Sequence, residues 1–183
     1  MLDYRKKKLS QLPLRYQSSD LEGVLIGQDE IQEQIAKLAT ELKMTKWHCI
    51  IVLSGAVFFA ADLMRQIECT YDTIQVSSYK GTESTRNPRI SKPLTKPIKG
   101  RDILIIEDII DTGHTVKFLV GYCKKAGAKS VKVAALLSKP ARREVRIRVD
   151  YLGFLVPNKF LVGYGLDWGE KYRTLPFIAV VKT

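Results

Sequence analysis

Between Gln28 and Leu42 the apolar positions Ile31, Ile35, Leu38, Ala39 and Leu42 recur at helical spacing, which predicts an amphipathic helix. Cys49 to Leu53 is a continuous apolar run that stops at Ser54-Gly55, the pattern of a buried strand. Ala56 to Ile67 returns to helical character, with Phe58, Phe59 and Leu63 available for packing. Thr73 to Val76 is a weaker strand. The stretch from Ser77 to Pro97 is too polar for a core and too long for a turn, and so predicts a functional or mobile loop. Ile103 to Ile106 is a strongly apolar strand, Thr115 to Lys125 a helix stopping at Ala126-Gly127, and Val131 to Leu137 a further strand. This alternation predicts an α/β fold with a mostly parallel central sheet flanked by helices. In the C-terminal third, Val149 to Val156, Phe160 to Val162 and Phe177 to Val181 predict short strands joined by loops. There is no internal repeat and no low-complexity segment.

The length of 183 residues suits one domain, alone or with a small appended lobe, and 45% hydrophobic content is enough to bury a core. Arg5 to Lys8 form a basic run that reads as a mobile arm. Met1 to Leu9 carries charge with no apolar stretch behind it, so no secretory signal is expected. No apolar run approaches the roughly 18 residues that span a bilayer, so no membrane partner is expected. Cys49, Cys69 and Cys123 are too widely spaced for a disulfide framework or a metal site. Cys49 and Cys123 lie in apolar surroundings and read as buried thiols, and a reducing, cytoplasmic compartment is the expectation. The formal net charge of +11 suits a polyanionic ligand, either nucleic acid or a small phosphorylated substrate. A solvated basic surface serving solubility accounts for it equally well, so charge alone does not decide.

The informative segment is ILIIEDIIDTGHTV, Ile103 to Val116. An apolar strand delivers adjacent carboxylates, Glu107 and Asp108, to the carboxyl edge of a sheet, where open α/β folds bind ligands. Asp111, Thr112, Gly113 and Thr115 then make a hydroxyl-rich turn into a helix, which presents backbone N–H groups and a positive helix end to an anion. Carboxylates repel phosphate, so the pairing is odd for phosphate alone. It suits a sugar phosphate, whose ribose hydroxyls need acceptors while the turn grips the phosphate. The lysine of a GxxxxGK[ST] loop and the GxGxxG of a dinucleotide fold are both absent. The plainer alternative is a strand–turn–helix corner with Asp111 or Thr112 as N-cap.

ILIIEDIIDTGHTV resembles the phosphoribosyl-pyrophosphate-binding signature of type I phosphoribosyltransferases, and EDIIDTG is the form typical of the hypoxanthine-guanine branch. The likeness runs from about Val24 to the C-terminus, through VLSGAVFFAADL at Val52 to Leu63, SSYKGTEST at Ser77 to Thr85, LLSK at Leu136 to Lys139 and VPNKFLVGYGLDWGEKYR at Val156 to Arg173, all in family order. It implies one domain over 1–183, with a small hood lobe contributed by about residues 1–25 and 150–183. It also implies transfer of a phosphoribosyl group from phosphoribosyl pyrophosphate to hypoxanthine or guanine, with xanthine left open. Magnesium is the implied cofactor and a homodimer or homotetramer the implied assembly.

By that resemblance Asp111 is the general acid/base at the purine ring. Glu107 and Asp108 hold the ribose hydroxyls, directly or through magnesium. The segment from Glu107 through Ile109, Ile110, Asp111, Thr112, Gly113, His114 and Thr115 contacts ribose and 5′-phosphate, with His114 either at the phosphate or facing solvent. Lys139 donates to the 6-oxo group, Phe160 stacks on the purine, and Lys159, Phe160 and Leu161 read the base edge largely through backbone groups. Asp167 is the implied magnesium ligand and Arg173 a pyrophosphate contact, while Ser78 and Tyr79 open a lid loop. Ser54 and Gly55 stand in the first, pyrophosphate-binding loop, where a cis Leu53–Ser54 bond is implied. The family's usual Leu-Lys-Gly is here Leu53-Ser54-Gly55, so anything done by the lysine side chain is lost while a backbone contact survives. An RNA-binding regulator of the same fold is the alternative raised by the charge. Lys139, Phe160, Asp167 and Arg173 form a purine-site set that such a binder does not require, and nucleic acid is not the expected partner.

Overall fold

The structure, a computed structural model, describes residues 13–80 and 83–182, so the basic run Arg5 to Lys8 lies outside the described residues. Strand β1 (Leu21–Ile26) leads into helix α1 (Gln28–Leu42), which buries Ile31, Ile35, Leu38, Ala39 and Leu42 as its periodicity predicts. The Glu30 carboxylate accepts a hydrogen bond from the Gly27 N–H at 2.7 Å, which ties down the start of the helix. There follow β2 (Trp47–Leu53), α2 (Val57–Met64), β3 (Cys69–Lys80), β4 (Glu83–Lys92), β5 (Asp102–Ile110), α3 (His114–Lys125), β6 (Ser130–Ser138), β7 (Tyr151–Leu155), β8 (Leu161–Val162) and β9 (Ile178–Val181). No helix among the described residues is long and apolar enough to cross a membrane.

Six strands form one sheet in the order β4-β3-β2-β5-β6-β7, parallel throughout except for the edge strand β4. Its central strands are covered on both faces, which is why they read as unbroken apolar runs. Side chains alternate between the faces: Leu104 and Ile106 join the core under α1 and α2, while Ile103 and Ile105 join the core under α3. Cys49 and Cys123 are both buried. A second, antiparallel sheet of order β1-β9-β8 pairs Leu21 with Val181 and Leu161 with Val180.

Three expectations are corrected. The polar stretch from Ser77 to Pro97 is not a single loop: β3 runs on to Lys80 and β4 returns antiparallel over Glu83–Lys92, pairing Val76 with Ile90, before an irregular 93–97. An edge hairpin faces water on one side and tolerates polar residues that a central strand does not. Ser78 and Tyr79 therefore lie within β3, and the Tyr79 backbone pairs with Ser84. Finally, Tyr151–Leu155 pairs with β6 in the central sheet, so the C-terminal part of the small sheet starts at Leu161 and not near residue 150.

Candidate active site

Strand β5 runs past its apolar stretch to Ile110, so Glu107 and Asp108 are strand residues at the carboxyl edge of the sheet. Glu107 is almost fully buried, and among the described residues its Oε2 has no hydrogen-bond partner. Burial, and secondarily the neighbouring Asp108 carboxylate, push Glu107 well above the usual carboxylate range, and burial pushes Asp108 up as well. With the two carboxyls adjacent and both raised, the pair favours a protonated form over two bare charges. Asp108 Oδ1 also accepts its neighbour's Ile109 N–H at 2.8 Å.

Beyond Ile110 the chain turns through Asp111-Thr112-Gly113 into α3, with Gly113 at φ 93° as the N-cap. That conformation is open to glycine, and a Cβ there would also press on Val145 and Arg143 at 3.1 and 3.2 Å. The segment after β6 is fastened to this turn. The Lys139 N–H donates to the Ile110 carbonyl at 2.9 Å, and the Glu144 and Val145 N–H groups donate to the Thr112 carbonyl at 3.0 and 3.3 Å. A cleft of about 90 Å³ lies at the turn, lined by Glu107, Ile109 to Gly113, Thr115 and Val116.

Beside it opens a cavity of about 400 Å³ into which Ser54, Gly55, Asp108, Lys139, Phe160 and Arg173 project, together with Leu161 and Asp167. Phe160 is 47% exposed, leaving a ring face open. Lys139 is half-buried; burial draws its ammonium down, and the Asp111 carboxylate opposes that shift. The Leu53–Ser54 peptide bond is cis, as the resemblance implies. Arg173 is held by Asp167 at 2.8 Å and by the Gly165 carbonyl at 2.7 Å, and Asp167 also accepts the Glu170 N–H at 2.9 Å. Gly165 passes directly over the Gly55 carbonyl. The adjoining Tyr164 donates to Asp62 of α2 at 2.5 Å, and Asp62 is held in turn by Gln32 and Arg65 at 3.0 and 2.6 Å.

The Lys159 side chain lies 3.7 Å from Glu22 on β1, which leaves its backbone for the base edge, and His114 contacts Glu144 at 3.1 Å; neither side chain lines the cavity. The sequence reading missed Arg142, whose Nε donates to Asp111 Oδ1 at 3.1 Å, as well as Arg143, Leu166 and the Tyr164–Asp62 pair. For the arginines the available signal was KPARRE directly after a strand that ends at the site, a run that otherwise reads as solvated charge.

A mostly parallel sheet whose carboxyl edge sets paired acids beside a glycine turn into a helix suits a phosphoribosyltransferase. The chain matches the phosphoribosyl transferase domain family over residues 27–168 and belongs to that family, in its hypoxanthine-guanine branch. It is 47% identical over 171 residues to the hypoxanthine-guanine phosphoribosyltransferase of Bacillus subtilis, covering 89% of this chain and 94% of that protein. It is also 47% identical over 173 residues to the bifunctional protein TilS/HprT of Listeria monocytogenes. That match covers 90% of this chain but only 26% of the relative, so the chain spans about a quarter of its length. The crystal structure of a hypoxanthine-guanine phosphoribosyltransferase from Bacillus anthracis superposes with a TM-score of 0.84 at 39% identity, covering 90% of this chain and 99% of that one.

Proposed function

We propose that the chain transfers the 5-phosphoribosyl group from phosphoribosyl pyrophosphate to hypoxanthine or guanine, releasing pyrophosphate and the nucleoside 5′-monophosphate. The observation that carries this reading is the convergence of Lys139 and Phe160 with Asp167 and Arg173 on one cavity beside the Asp111–Thr115 turn. A cation, a ring face, an acid and a guanidinium set around one space suit a flat oxopurine facing a pyrophosphate.

In this mechanism the 5′-phosphate sits on the backbone N–H groups and hydroxyls of Asp111 to Thr115, at the positive end of α3. Glu107 and Asp108 accept hydrogen bonds from the ribose hydroxyls, which supplies the donor that Glu107 Oε2 lacks. Phe160 stacks on the base and Lys139 donates to its 6-oxo oxygen. Asp111 releases its hold on Arg142 to hydrogen-bond the ring nitrogen opposite the reacting one and manages that proton. Arg173 and the Ser54-Gly55 backbone take the departing pyrophosphate, stabilising charge that grows as the glycosidic bond breaks. Ser54 offers a hydroxyl in place of the ammonium of the usual lysine, so less of that charge is met at the first loop.

The donor set fits magnesium. Asp167, Glu107 and Asp108 are hard oxygen ligands, and this ion is commonly held by one or two carboxylates with substrate phosphates completing its shell. Among the described residues no three His, Cys, Asp or Glu side chains converge on one point, and such a mode of binding needs no such cluster. When bound, magnesium would neutralise pyrophosphate charge. Assembly as a homodimer or homotetramer belongs to the same reading.

Pyrophosphate release measured with hypoxanthine, guanine, xanthine and adenine tests the proposal. Turnover with the first two and little with adenine supports it; equal turnover with adenine, or none with any base, overturns it. The RNA-binding regulator draws no support from the relatives.

A further inference from the structure

The phosphate turn carries no fixed cation of its own. Asp111, Thr112, Gly113, His114 and Thr115 offer backbone N–H groups and hydroxyls, while Glu107, Asp108 and Asp111 crowd the same edge with carboxyls. A phosphate dianion placed there needs counter-charge beyond the partial charge of a helix end. The segment after β6 supplies it. Arg142 is 49% exposed in its side chain and reaches Asp111 from the solvent side.

Arg143 is placed differently. Its Nη2 donates at 2.7 Å to Oγ of Ser138, a buried hydroxyl at the end of β6. Its Nη1 is buried and, among the described residues, has no hydrogen-bond partner. The guanidinium lies against Gly113, where a Cβ would stand 3.2 Å from Nη1 and 3.3 Å from Cδ. Arg143 packs against the turn without lining the cleft itself. The backbone of the next residues, Glu144 and Val145, is bonded to Thr112 and holds the guanidinium in that position.

We infer that Arg143 is a positioning residue of the phosphate site, a permanent positive charge packed against Gly113 that offsets the Asp111 carboxylate and steadies the turn whose N–H groups meet the 5′-phosphate. Leaving a buried N–H on a cation unpaired is costly, and a dianion bound at the turn offsets that cost electrostatically. Burial draws the Arg143 guanidinium down while Asp111 opposes the shift, and an arginine stays charged throughout the working pH range. A lysine could not replace it: the planar fork bonds Ser138 with one nitrogen while the other faces the turn.

The inference rests on the proposed reading of Asp111 to Thr115 as a phosphate cradle, and one experiment separates the two. Inhibition constants for inosine 5′-monophosphate and inosine, and KM for hypoxanthine and for phosphoribosyl pyrophosphate, are measured on the wild type, Arg143→Met and Arg143→Gln. Arg143→Gln keeps a donor for Ser138 and removes the charge, so it reports on the charge even if Arg143→Met fails to fold. The expected result is a loss of about 10- to 100-fold in nucleotide affinity, a parallel rise in KM for phosphoribosyl pyrophosphate, and an unchanged KM for hypoxanthine. A variant that binds the nucleotide like the wild type, or loses base and nucleotide equally, overturns the role given to Arg143. A wild type that binds inosine as well as its 5′-monophosphate overturns the cradle itself.

Discussion

Gly165 crosses so close above the Gly55 carbonyl that no Cβ fits between them, and this contact joins the first loop to the segment carrying Asp167 and Arg173. Gly165 also sits at φ 105°, where side chains are rarely accommodated. Gly165→Ala is expected to push the two segments apart, destabilising the fold on the order of 1–3 kcal/mol and raising KM for phosphoribosyl pyrophosphate more than KM for hypoxanthine. Thermal melts and steady-state kinetics check this. Unchanged KM values would show that the contact does not organise the pyrophosphate side.

Asp111 stands where strand ends and turn begins, with its carboxylate on Arg142 and the Lys139 ammonium close enough to feel its charge. Asp111→Asn keeps the shape and a hydrogen bond but cannot exchange the proton. It should fold normally and turn over about 10²–10⁴-fold more slowly. Loss of the exposed Arg142 ion pair costs at most about 1 kcal/mol of stability, so reduced turnover would not reflect unfolding. Single-turnover rates close to wild type would remove Asp111 from acid/base work.

Glu107 yields a stability prediction. Its folded carboxyl is raised by burial and by Asp108, so the native protein holds a proton that the unfolded chain gives up near the ordinary 4.5. The stabilisation is complete below that pH and is lost as pH rises through the raised value. With substrates absent and divalent metal chelated, Glu107→Gln should therefore melt higher than wild type at pH 8, and the difference should disappear near pH 4. Parallel melting curves across that window would show that the buried pair is not protonated as described.

What could be read in the sequence follows the range of the interactions. Helix α1 begins and ends where the periodicity of Ile31, Ile35, Leu38 and Leu42 predicts, because its burial pattern is local. The turn at Asp111 to Thr115 was legible because strand, acids and helix start are contiguous. Strand β1 was missed: it is short, holds Gly23, and is fixed by pairing with Ile178–Val181 at the far end of the chain. The β3–β4 hairpin was missed because its edge position permits polar residues. Tyr164 and Asp62 lie 102 residues apart, and no spacing rule joins them.

Lys139 separates base recognition from phosphate binding. Its N–H is fixed to the Ile110 carbonyl, and its side chain enters the cavity that also holds Phe160. Burial weakens its hydration, so a hydrogen bond from it to a 6-oxo oxygen discriminates more strongly than one made in open solvent. Lys139→Met keeps the length and removes the charge. The expected cost is about 1.5–3 kcal/mol in kcat/KM for hypoxanthine and guanine, the range for hydrogen bonds to charged groups. Adenine carries an amino donor at the same ring position and should gain relative to hypoxanthine once the ammonium is gone. Binding of phosphoribosyl pyrophosphate should stay nearly unchanged, because its phosphate sits on Asp111 to Thr115. A lysine that merely contacted nucleic-acid phosphate would instead change RNA affinity and its salt dependence without altering base choice. Kinetics with hypoxanthine, guanine and adenine, together with RNA titrations at two salt concentrations, distinguish these cases. A hypoxanthine-to-adenine ratio that does not move in Lys139→Met would remove Lys139 from the purine site even if the phosphate turn is correctly assigned.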